Sequence, residues 1–115
     1  MQVLKIKDKN IRIFWEDVDG DESIKHYIHP RNSFLKAYVR QLSANEQASA
    51  DAIQDRSDIE FIVNYREIIV DMYVEFNNKT YRISGIDYYE FYITEVKFRA
   101  YEVNVKQYDK VRWAE

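Results

Sequence analysis

The chain alternates apolar and polar residues in short runs, and the period of two predicts strands almost throughout. Ile11, Ile13 and Trp15 share one strand face, Ile24 and Ile28 share one face of the next run, and an acidic stretch over 17–22 separates them. This is the pattern of a β-hairpin, with Asp19-Gly20 supplying residues that tolerate positive φ in a tight turn. Pro30 cannot donate to a ladder and ends the unit. Leu35, Ala37 and Val39 then alternate with Lys36, Tyr38 and Arg40 in a third strand. Ile59, Phe61, Val63 and Tyr65 make a fourth, and Met72, Val74 and Phe76 a fifth after a short connection at 66–71. Asn77, Asn78 and Lys79 form a second hairpin turn, because asparagine accepts left-handed geometry, and Tyr81, Ile83 and Gly85 follow. A last long strand is expected over 91–103. There Phe91 and Ile93 give way to Val96, Phe98 and Ala100 on the opposite parity, which predicts a β-bulge near Thr94 and Glu95.

Only over 42–56 does the period change, with alanine replacing β-branched residues. Ser43 and Glu46 fit a capping box, and Ala44, Ala48, Ala52 and Ile53 can share a helical face, so the segment is a short helix or a long loop. A stretch of that length is unusual in a compact domain unless it has a use. The fold class that follows is all-β, a small closed or nearly closed barrel of six or seven antiparallel strands with this insertion near 42–56. Residues 104–115 have no clean period and can extend the last strand, fold back, or dock on another subunit.

Composition narrows the picture. At 115 residues without a Pro-, Gly- or Ser-rich linker, the chain supports one hydrophobic core and reads as one domain over 1–115. An aromatic share of 16%, with ten tyrosines, leans towards sheet. The formal net charge of −3 offers no basic field to hold a phosphate backbone. Cysteine is absent, which removes disulfides and thiolate metal sites and fits a reducing cytoplasm. Residues 1–9 lack the apolar core of a signal peptide, and no run approaches ~18 consecutive apolar residues, so no membrane span is expected.

The arrangement over 58–103 resembles the head-closure family of tailed-phage connector proteins, also called stopper or head-tail joining proteins. The family pattern is an aliphatic strand ending in a Tyr-Arg pair, a hydrophobic strand, a turn, a Tyr-Arg-Ile strand and a final strand. Tyr65-Arg66 with Ile68, Met72 and Val74, then Asn77 to Lys79, Tyr81-Arg82-Ile83 and Ile86-Asp87 match in that order. Upstream, Ala37-Tyr38-Val39 leading to Leu42-Ser43, Glu46 and Ala50 fits the family's third strand and following loop, so the resemblance covers about residues 10–103. Asn77-Asn78 stands where the family's central turn usually has glycine.

What the resemblance implies is a β-barrel subunit of a homo-oligomeric ring of six or twelve copies at the head-tail junction of the virion, assembled in the host cytoplasm. The ring would sit between the portal-adaptor complex and a tail-completion or tail-tube protein and retain packaged double-stranded DNA without reading its sequence. No cofactor and no membrane belong to that role. The excursion at 42–56, with Ser43, Glu46, Ala48, Asp51, Ile53, Asp55 and Arg56, would be the channel or docking loop. Its net acidic charge would let DNA slide rather than stick.

Candidate chemistry is sparse. Asp17, Asp19 and Asp21 sit where a calcium loop opens, but Glu22 stands where glycine is needed and Ile28 where a bidentate Glu is needed, which leaves a solvated hairpin tip. His26 and His29 are three apart on a strand, hence on opposite faces, and cannot easily share a metal. No serine occupies a Gly-x-Ser-x-Gly elbow and no Gly-rich loop precedes a helix, so the expectation is a protein that is not an enzyme. Tyr88, Tyr89, Phe91 and Tyr92 are nearly consecutive, so some rings must face solvent or a partner. Tyr88, Tyr89 and Tyr92 are therefore candidate subunit-interface residues. Trp113 is either a local lid or an anchor on a neighbouring subunit. Two other readings remain: a different connector or tail-completion barrel, and an OB-like module binding nucleic acid or oligosaccharide, which the acids beside the tyrosines oppose.

Overall fold

The computed structural model describes residues 6–42, 58–64, 66–88 and 94–115. Alternation becomes strands wherever one side of the chain has a core to face. The strands are β1 (Lys9–Asp19), β2 (Glu22–Tyr27), β3 (Leu35–Gln41), β4 (Asp58–Asn64), β5 (Tyr73–Phe76), β6 (Lys79–Tyr88), β7 (Glu95–Val103) and β8 (Lys110–Arg112). Six of them close a barrel in the order β1-β3-β4-β7-β6-β5 and back to β1, every neighbouring pair antiparallel. The fold is thus an all-β barrel, with no helix among the described residues. Its two further strands lie outside the closed wall: β2 continues from β1, and β8 runs parallel to β2. Residues 104–115, which had no period of their own, fold back to make that outer strand.

Inside the barrel, Ile11, Ile13, Phe61, Val74, Ile83 and Phe98 are among the fully buried side chains. Phe61 stacks on Phe98 at 5.2 Å between centroids and meets Phe76 and Tyr81 edge-on. β4 departs from simple alternation, since Asp58, Glu60 and Ile62 on its outer side are buried as well. Glu60 is held there by Arg40, Nε to Oε1 at 3.3 Å across the β3–β4 pair.

The two hairpin turns form where the residue types require them. Gly20, with φ of 65°, is the first of two loop residues between Asp19 and Glu22. Asn77 and Asn78, at φ 54° and 63°, are the two loop residues between Phe76 and Lys79, so Lys79 already belongs to β6. A Cβ at position 20 would touch nothing within 4 Å, which isolates the backbone term. Replacing Gly20 by Ala should therefore cost about 1 kcal/mol in urea unfolding and by Asn distinctly less, since asparagine visits the left-handed region more readily. Equal costs for the two variants would contradict the assignment.

The bulge expected near Thr94 and Glu95 rests on Phe91 and Ile93, which lie outside the described residues. β7 begins at Glu95 straight after a turn at Thr94, and the observed register shift is in β6, between Ile83 and Gly85. Ser84 is the extra residue, and it moves the inward parity from Tyr81 and Ile83 to Ile86. The excursion between β3 and β4, residues 43–57, lies outside the described residues, as do all seven of its candidate docking positions. Its base is described: Leu42 is buried and its N–H donates to the Asp58 carbonyl at 3.3 Å, so the chain leaves and rejoins the wall at adjacent points.

Candidate assembly surface

β1 is longer than the barrel needs. Lys9–Ile11 pair with β3 on one edge and Arg12–Phe14 pair with β5 on the other, and beyond Phe14 the only partner strand among the described residues is β2. β2 and β3 thus succeed each other along the same edge of β1, and at the hand-over the Ile13 N–H faces a gap in the ladder. His29 fills it, with Nε2 accepting that N–H at 2.9 Å, while Ile28 N–H donates to the Ile13 carbonyl at 3.0 Å. Burial first, then the charges of Arg66 and Arg12, hold the imidazole down at a pKa of about 4, so it is neutral and has a lone pair to offer. Outside the wall, β1, β2 and β8 therefore form an arm anchored by a buried histidine.

The face of this arm that continues the barrel exterior carries a second small core. Phe14 stacks on Tyr73 at 5.1 Å and meets Tyr27 and Tyr108 edge-on at 5.7 and 5.9 Å. Lys25 runs across these rings, its ammonium 4.6 Å from the Phe14 centroid and 2.9 Å from Glu75 Oε2. The Tyr27 hydroxyl donates to Glu75 Oε1 at 2.7 Å, and burial together with that carboxylate pushes its pKa up. Burial alone would raise Glu16, but hydrogen bonds from Tyr73, Lys106 and Tyr108 bring its carboxyl below the usual value. The strap from β7 to β8 is thereby tied down by Tyr108 on one side and by Asp109 on the other, where Ser23 N–H donates to Asp109 Oδ2 at 2.8 Å. Trp113 then stacks on Tyr27 at 4.0 Å, with the Arg12 guanidinium 5.2 Å from its ring.

On the opposite face of the arm Trp15 stacks on His26 at 4.0 Å. His26 Nε2 lies 3.4 Å from Asp17 Oδ2, ion-pair distance without hydrogen-bond geometry. Exposed Trp15, Ile69 and Val70, with Met72 and the Asp71–Arg82 ion pair, line an apolar cleft of about 460 Å³ beside the arm's root.

The residues singled out from sequence are thus distributed unevenly. Trp113 sits within its own chain, half-buried on Tyr27. Tyr88 closes β6 opposite Val96, while Tyr89 and Tyr92 lie outside the described residues. The two histidines are on opposite faces, one on Trp15 and one inside, and among the described residues no three His, Cys, Asp or Glu side chains come together to hold a metal. Sequence reasoning missed Phe14, Tyr27 and Tyr108, whose signal was only that each breaks the expected inward parity or lies in an aperiodic stretch. A scan against protein-family models and a search of curated proteins found no match to this chain. Among the described residues no helix is long and apolar enough to cross a membrane.

Proposed function

We propose that this chain is a non-enzymatic virion subunit, a barrel of the tailed-phage head-tail connector that assembles as a ring and closes the DNA-filled head. The observation that carries this reading is the closed barrel with a lateral arm. Closure hides the backbone edges of a small sheet, and an arm on one side offers a directional contact of the kind a ring subunit needs. The strand and turn pattern over 10–103 that resembles head-closure proteins supports the same role, as does a net charge of −3, which disfavours tight grip on DNA passing through a channel. The long β3–β4 connection, rooted at Leu42 and Asp58, is the segment we assign to the channel or to docking on the portal-adaptor complex or the tail.

Particles made without the protein are the test, imaged by negative stain and probed with nuclease. The expected outcome is tailless heads whose DNA leaks or becomes nuclease-sensitive, alongside finished tails. Filled, stable, tailless heads would move the protein to tail docking, and normal virions would overturn the reading. In that last case a titration with single-stranded DNA at low salt would examine the OB-like alternative.

A further inference from the structure

Among the described residues the arm has two open flanks, and they are complementary. One is the edge of β1 past Phe14, where β5 no longer pairs; the other is the outer edge of β8, the last strand in the sheet order. Hydrogen bonding to β2 occupies the odd positions of β1, as the Ile28 N–H to Ile13 carbonyl bond shows, so the N–H and C=O of Glu16 and Val18 point away from β2. In β8 the alignment of Val111 with Lys25 leaves the backbone of Val111 pointing outward. The β1 flank is acidic, with Asp17 and Asp19 on one face and Val18, 70% exposed, on the other. The β8 flank is basic, with Lys110 and Arg112 on one face and Val111, 49% exposed, on the other.

We propose that β8 of a second copy of this chain adds antiparallel to the distal edge of β1, pairing Val18 with the neighbour's Val111, Asp17 with its Arg112 and Asp19 with its Lys110. The proposal rests on the ring reading above and supplies its subunit contact. In this register the outward-pointing backbone groups of Val18 and Val111 meet, the valines lie on one face and both charge pairs on the other. β8 is antiparallel to β1 within one chain, so the repeat keeps the strand direction and the faces of every copy, as rotation about a ring axis requires. Because the two surfaces differ, the contact is head-to-tail and closes a ring if the rotation closes.

Free subunits carry a guard on this edge. The outward N–H of Val18 donates to Asp17 Oδ1 at 2.8 Å, which covers the donor a neighbouring strand would use. Among the described residues Asp19 and Arg112 form no ion pair, and Lys110 pairs with Glu22 at an exposed site. An approaching Arg112 would draw the Asp17 carboxylate off the Val18 amide and free it for the Val111 carbonyl. The same register brings the neighbour's Trp113 beside Glu16, at the mouth of the Trp15–Ile69–Val70 cleft.

Cysteine pairing tests the contact directly, since the chain has no cysteine of its own. Val18 and Val111 of one chain are separated by β2, two strand spacings or about 10 Å, beyond disulfide reach, so an 18–111 bond can form only between copies. Val18→Cys and Val111→Cys proteins, mixed at high concentration and oxidised mildly, should give the 18–111 heterodimer at least tenfold over either homodimer. The double variant should give a ladder of higher oligomers. Asp17→Arg with Asp19→Lys should abolish the link, and Arg112→Asp with Lys110→Asp on the partner should restore it. Statistical mixing of the three dimers, or a link indifferent to charge reversal, would overturn this contact while leaving a ring built another way intact. Normal virions without the protein would instead remove the ring itself.

Discussion

Truncating Phe61 to alanine is expected to cost about 3–5 kcal/mol, the range for removing a large aromatic from a core that cannot collapse around the space. Phe61 is fully buried at the centre of β4, stacked on Phe98 and flanked edge-on by Phe76 and Tyr81, so three other strands line the void. A domain of this size is stable by roughly 5–15 kcal/mol in all, so the variant should unfold at much lower urea, with an unchanged slope if the denatured state is unaltered. Ile69→Ala is the matched control: Ile69 is 57% exposed at the cleft and should shift stability by about 0.5 kcal/mol or less. Similar losses in the two variants would mean that the barrel interior is not the main core.

Acid sensitivity is the second large effect, and it follows from His29. Its folded pKa, about 4, lies below the ordinary 6.5, so as pH falls the unfolded chain takes the proton first. The contribution of the neutral, hydrogen-bonded ring is therefore complete above about pH 6.5 and shrinks as pH drops to about 4, by roughly 3 kcal/mol in total. Protonation would also turn Nε2 from acceptor to donor and set it against the Ile13 N–H, where the arm is joined to the barrel. His29→Gln retains an acceptor at the end of its side chain without the titration. Its urea midpoint should be flatter than that of the unmodified protein between pH 6.5 and 4, with the difference vanishing near neutrality apart from a constant packing loss. Parallel declines in the two proteins would exclude His29 as the cause.

Much of the barrel was legible because its determinants are local. Period-two runs at residues 35–41, 59–63 and 96–100 face a core through their own backbone geometry, and Gly20 and Asn77-Asn78 set hairpins through their own φ angles. The slip at Ser84 shows in the sequence only as a change of parity from Tyr81 and Ile83 to Ile86, which Gly85, fitting either face, obscures. Phe14 lies off the inward parity of Ile11 and Ile13 and is nevertheless buried. Its burial depends on Tyr108, which arrives from the far end of the chain.

By itself, the sequence determined an all-β domain, two hairpin turns, the inward faces of most strands and the absence of cysteine chemistry, because each depends on residue type and near neighbours. Tertiary structure alone decided that six strands close while β2 and β8 stand outside, that an imidazole replaces a strand at Ile13, and that an acidic and a basic edge flank one arm. Those outcomes depend on backbone groups pairing across long separations, such as Ser23 with Asp109 and Ile13 with His29, and alternation carries no record of which distant strand will supply the partner.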